Sequence, residues 1–172
     1  DGVTAVASVF DPTDSSWKSV GPMTMPRIGA EAVVLDDGRV LIASGADQFA
    51  PTAAAEIFDP ATGRFTATGS MTVPRSGLVA SRLKDGRVLF AGGVDRDQKV
   101  NGTAEVYDPK TGRFTATGSL NTARYNHNST LLPDGTVLIS GGTTPWEELA
   151  SAERYDPVAG VFRTTGAMQF AR

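Results

Sequence analysis

The sequence contains no cysteine and a single histidine, His127. Without thiols there is no disulfide framework, no thiolate zinc site and no cysteine nucleophile, and a lone imidazole removes most catalytic constellations that need a histidine partner. Charge is scarce as well: 20% of residues are charged, and 16 Lys+Arg against 19 Asp+Glu leave a net charge of −3. That balance supplies neither the basic footprint of a nucleic-acid binder nor a polybasic surface for anionic lipid. Apolar runs such as Ala32 to Leu35 fall far below the roughly 20 residues that cross a bilayer as a helix, so membrane insertion is not expected. A hydrophobic share of 40% argues against a disordered chain. Length alone, 172 residues, suggests one domain with a core of its own. The chain opens on Asp1 with neither methionine nor signal segment, which reads as a processed or excised piece.

Glycine and proline, by contrast, are plentiful, with 19 and 10 residues, and predict many turns and short strands. They recur on a period. Residues 55–71 read AEIFDPATGRFTATGSM and residues 104–120 read AEVYDPKTGRFTATGSL, identical at thirteen of seventeen positions. The unit returns as AERYDPVAGVFRTTGAM from Ala152 and, more diverged, as ASVFDPTDSSWKSVGPM from Ala7. The Asp-Pro steps at Asp11, Asp59, Asp108 and Asp156 are spaced by 48, 49 and 48 residues.

Between these units lies a second shared stretch, VVLDDGRVLIASG around Asp37, SRLKDGRVLFAGG around Asp85 and TLLPDGTVLISGG around Asp134. Asp-Gly between apolar runs predicts a two-residue type I′ hairpin, which needs positive φ at both central residues. The Asp-Pro-x-x-Gly run predicts a second hairpin, with Gly63 or Gly112 in the left-handed region. One period is thus four short strands, near Ile28 to Leu35, Val40 to Ser44, Glu56 to Phe58 and Phe65 to Thr68, with no helical stripe. A four-stranded unit of about 48 residues has the size of a β-propeller blade.

Several recurring positions carry a resemblance. Paired glycines (Gly92-Gly93, Gly141-Gly142, weakened to Ser44-Gly45) follow the second strand, and an aromatic (Phe10, Phe58, Tyr107, Tyr155) sits in the third. A large ring opens the fourth (Trp17, Phe65, Phe114, Phe162), and an arginine (Arg27, Arg75, Arg124, Arg172) leads into the next first strand. The chain resembles the kelch repeat family over essentially its whole length, with phenylalanine replacing the commoner tryptophan of the fourth strand. The resemblance implies an all-β fold of four-stranded antiparallel blades in a ring of about six or seven. Residues 1–22 would supply the third and fourth strands of a partial blade, 23–70, 71–119 and 120–168 three whole blades, and 169–172 the start of another. That is about three and a half blades: an incomplete ring, a segment of a larger propeller, or an open array that pairs with another chain. Partners are then the remaining blades of a parent chain or a second copy.

In such a blade the two repeated turns share one face, and the connections 46–52, 94–102 and 143–149, which vary in length and chemistry, share the other. Binding residues are expected on the variable face. Trp146 and Phe49 are the candidate anchors there for a protein or glycan partner, unless each folds back as loop packing. Arg27, Arg75 and Arg124 lie near the mouth of the channel on that face as candidates for an acidic or sugar ligand, although their strict recurrence suits a structural partner such as Glu56, Glu105 and Glu153. His127 is expected to be a satisfied structural residue. Asp95, Asp97 and Asn101 supply oxygens without the spacing of a calcium loop. Copper radical oxidases similar to galactose oxidase are built on a kelch propeller, and the resemblance implies two histidines, two tyrosines and a cysteine for them. Tyr125 could contribute one tyrosine, with the rest outside this chain. The expectation is a non-catalytic scaffold without cofactor or metal. The composition looks bacterial and points to an extracellular or cell-surface location, leaving the cytoplasm open.

Overall fold

The computed structural model describes residues 2–172; the start of the first partial unit, at Asp1, lies outside them. Fourteen short strands form among the described residues, and no helix. β1 (Ser8–Asp11) and β2 (Ser16–Ser19) make a two-stranded sheet. β3 (Glu31–Val34), β4 (Val40–Ala43), β5 (Ala55–Asp59) and β6 (Arg64–Ala67) make the second sheet. β7 (Val79–Arg82), β8 (Val88–Ala91), β9 (Ala104–Asp108) and β10 (Arg113–Ala116) make the third. β11 (Asn128–Leu131), β12 (Val137–Ser140), β13 (Ala152–Asp156) and β14 (Val161–Thr164) make the fourth. Every pairing is antiparallel between consecutive strands, so each sheet is a meander of one repeat. The sheets stand side by side in chain order, with β7 touching β3 on one side and β11 on the other.

Strand alternation explains this stacking. In the third sheet, Val88, Phe90 and Tyr107 face the second sheet and pack on Leu41, Ala43, Ala55 and Ile57. Leu89, Ala91, Ala104 and Val106 face the opposite way, onto Val137, Ile139 and Tyr155 of the fourth. With both faces covered, β8 is apolar at every position rather than at alternate ones. The aromatic pairs fall directly opposite one another, Phe58 with Phe65, Tyr107 with Phe114 and Tyr155 with Phe162, their ring centroids 4.8 Å apart in each case. The equivalent pair of the two-stranded sheet, Phe10 and Trp17, is left open, 46% and 70% exposed. Among the described residues, no equivalent of β4, β8 or β12 lies beside β1.

The Asp-Gly turns differ from the expected type. Positive φ is confined to Gly38, Gly86 and Gly135, and the aspartates before them keep negative φ. Leu35 N–H donates to Arg39 O at 2.8 Å and Gly38 N–H to Leu35 O at 3.1 Å, which is a three-residue loop: a type I turn closed by a glycine bulge. The aspartate side chain is the reason. Asp37 Oδ1 accepts from Arg39 N–H at 3.0 Å, and Asp85 and Asp134 do the same to the residue two places on, a bond that holds Asp in the ordinary region. The Asp-Pro turns follow expectation, with Gly63 and Gly112 at φ of 66° and 67° and each glycine N–H donating to the aspartate carbonyl at 2.8 Å. In the two-stranded sheet Ser15 takes that left-handed position at 54°.

Candidate functional site

The three variable connections, expected as irregular loops, are tight hairpins. Beyond the paired glycines the second strand of each sheet continues through one more bridge on each side, at Ala46, Val94 and Thr143. This extension requires glycine: a Cβ on Gly93 or Gly142 would stand 2.7 Å from the carbonyl oxygen of Ser76 or Tyr125, closer than real atoms approach. The tips are then capped by their own side chains. Asp47 Oδ1 accepts from the N–H groups of Phe49 and Ala50 at 2.7 and 2.8 Å. Thr144 Oγ1 does the same for Trp146 and Glu147 at 3.2 and 3.1 Å. Asp95 Oδ1 caps Asp97 and Lys99, both at 3.0 Å, in a tip one residue longer that puts Gln98 at positive φ.

Phe49 and Trp146 therefore occupy the same position of equivalent turns, two sheets apart, and are 80% and 89% exposed. Neither folds back as loop packing. Charged side chains of Arg96 and Asp97 stand on the tip between them, and Asp47 is held below the usual carboxylate range chiefly by the two N–H groups it caps. Asp95 is committed to its turn, and Asn101 Oδ1 to the N–H and hydroxyl of Thr103 at 2.8 and 2.7 Å.

The three arginines are turned inward instead. Arg27, Arg75 and Arg124 are buried, and each gives one terminal nitrogen to a glutamate of the third strand, Glu56, Glu105 or Glu153, at 2.6, 2.7 and 3.0 Å. The other terminal nitrogen reaches two backbone carbonyls, Ser44 and Ala54, Gly92 and Thr103, or Gly141 and Ser151. The second glutamate oxygen accepts from the N–H of Thr24, Thr72 or Asn121. Each pair thus ties the connection ahead of a sheet to that sheet's second and third strands. Its terminal nitrogens and carboxylate oxygens are taken up within the protein, so an external anion would have to break the pair; Arg124 Nε donates to Thr122 O at 3.2 Å, whereas Arg27 Nε and Arg75 Nε are buried without a protein partner. Burial lowers the Arg75 and Arg124 guanidinium groups below their ordinary range, opposed by Glu105 and Glu153.

Where the first strands converge there is an open recess of about 580 Å³, lined by Ile28, Glu31, Ser76, Asn126 and His127 among others. Half-buried Tyr125 bridges to Thr143 at its edge. Burial raises the Glu31 carboxyl, opposed by Ala80 N–H at 3.4 Å. His127 is buried as expected but not satisfied: it is 4% exposed, and neither ring nitrogen has a protein hydrogen-bond partner. Burial, and then the Arg124 charge, bring its pKa down from 6.5 to about 4. The signal was present in the repeat, because the equivalent positions are Ala30 and Leu78, an apolar slot.

The backbone path has a counterpart among solved structures. The chain is similar to the structure of YjhT. The two superpose with a TM-score of 0.76 at 12% sequence identity, over 98% of this chain and 67% of that one; at such identity the likeness is one of fold. No protein-family model matches the chain, and no curated protein matches it by sequence.

Proposed function

We propose that the chain is an arc of a kelch-type β-propeller that serves as a non-catalytic scaffold, binding a protein or glycan partner through its hairpin tips. The observation that carries this reading is the pair Phe49 and Trp146, exposed at equivalent positions of capped, conformationally fixed turns. Rigid aromatic side chains on a rigid support lose little entropy on binding and supply large contact area. The charged tip between them adds polar specificity at the rim.

The test uses ligands selected against the whole chain from a displayed peptide library and a glycan array. Phe49→Ala with Trp146→Ala should weaken those ligands by at least about tenfold, the usual scale for an aromatic anchor, with the urea midpoint unchanged. Undiminished binding to the double variant would remove the tips from the reading.

A further inference from the structure

Each interface between neighbouring sheets repeats the same bonds. The second residue after the outermost strand donates its N–H to the turn glycine of the next sheet: Gly21 to Gly63 O at 2.8 Å, Gly69 to Gly112 O at 3.0 Å and Gly118 to Gly160 O at 2.9 Å. The residue before it meets the aromatic of the next third strand. Thr68 Oγ1 bonds Tyr107 Oη, and Thr117 Oγ1 bonds Tyr155 Oη, both at 2.8 Å. At the first interface the corresponding residues are Val20 and Phe58, so both hydroxyls are missing together and none of the three interfaces holds an orphaned one.

The outward face of the fourth sheet carries this set without its complement. Thr165 and Gly166 are exposed, and nothing lies within 4 Å of the position a Gly166 Cβ would take. The backbone that follows is already seated. Met168 N–H donates to Ala150 O at 2.8 Å as Leu120 N–H does to Gly102 O, and Arg172 O accepts from Gly142 N–H at 2.9 Å as Arg124 O does from Gly93 N–H. Yet the Arg172 side chain is exposed, whereas its three equivalents are buried on glutamates.

We propose that this face, Thr165, Gly166, Gln169 and Arg172, docks a β-sheet whose third-type strand carries Glu-x-Tyr followed by an Asp-Pro turn ending in glycine. The glutamate pairs with Arg172 and accepts from Gln169 N–H, the tyrosine hydroxyl bonds Thr165, and the turn carbonyl receives Gly166 N–H. This rests on the propeller-arc part of the reading above and is independent of the hairpin tips. It also selects against self-pairing. The accessible strand of a second copy, β1, holds Ser8 where the glutamate belongs and Phe10 where the tyrosine belongs. Docked there, it would leave Arg172 without a carboxylate and the Thr165 hydroxyl without a partner.

The whole chain can be made to test this on itself. Ser8→Glu with Phe10→Tyr installs the missing pair on β1, and sedimentation equilibrium should show self-association tightened by about tenfold or more over the unaltered chain, the scale of a charge-assisted buried bond. Adding Thr165→Val or Arg172→Ala should cancel much of that gain, and the Gly166 amide should gain exchange protection only in the double variant. Self-association equal in the unaltered chain and the double variant, or a gain untouched by Thr165→Val and Arg172→Ala, overturns the proposal. Circular dichroism and the urea midpoint check folding; if Ser8→Glu disrupts β1, Phe10→Tyr alone against Thr165→Val reads the hydroxyl match by the same measurement. None of these outcomes touches tip binding, which the Phe49 and Trp146 variants read separately.

Discussion

His127 occupies in the fourth sheet the slot that Leu78 fills in the third and Ala30 in the second, beside Gly92 and Gly142. An imidazole there buries two nitrogens without protein partners, which costs about 1–3 kcal/mol per unsatisfied group relative to an apolar side chain of similar shape. His127→Leu is expected to stabilise the protein by about 1–2 kcal/mol at pH 7 in urea denaturation. The gain should grow with acidity. The folded-state pKa of about 4 lies below the ordinary 6.5, so between these values the unfolded chain binds the proton and the folded chain does not. Stability then falls as pH drops from about 6.5 to about 4, by roughly 3 kcal/mol in all for a shift of this size. The leucine variant should lack that part of the pH dependence; a midpoint that declines in parallel for both proteins would contradict the assignment.

At the scale of strands, the buried Arg–Glu pairs hold the meander to the segment that precedes it. Arg75→Ala leaves Glu105 charged, buried and short of its partner, and a loss of about 3–5 kcal/mol is expected. Arg75→Met with Glu105→Leu, which removes both charges, should cost clearly less in the same urea titration. The strands themselves were legible from the turn residues and the short apolar runs between them, because β4, β5 and their equivalents are buried on both faces. The Asp-Gly hairpins were misread in type: the dipeptide suits a two-residue turn, but Asp36, Lys84 and Pro133 each add a loop position, and the aspartate side chain prefers to cap. The hairpins at Phe49 and Trp146 were hidden because their caps, Asp47 and Thr144, differ in identity while performing the same bond. The Thr68 to Tyr107 bond spans 39 residues, beyond any local pattern, and only the paired loss of both hydroxyls at Val20 and Phe58 announces it.

For the whole molecule, burial is graded along the chain. The third sheet has neighbours on both faces, the second and fourth contribute to one full apolar cluster each, and β1 with β2 leave Phe10 and Trp17 largely open. Native-state hydrogen exchange should follow that gradient, with the amides of β8 and β9 slowest and those of β1 and β2 exchanging through local opening at much lower cost. Uniform protection across all four sheets would instead indicate a single cooperative unit. The arc of sheets was legible from the 48-residue period, whereas the chemistry of its outer faces needed the atoms that join one sheet to the next.

Those joining atoms lie at identical offsets in every repeat, so an in-frame duplication of one 48- or 49-residue unit would insert a sheet whose two new borders already fit. The single restriction is the hydroxyl match: a unit ending in Thr must precede one bearing Tyr, and a unit ending in Val one bearing Phe. Tandem copying therefore keeps the hydroxyl match for the Thr and Tyr units, whereas a copy of the unit that bears Phe58 and ends in Thr68 would set a threonine against a phenylalanine.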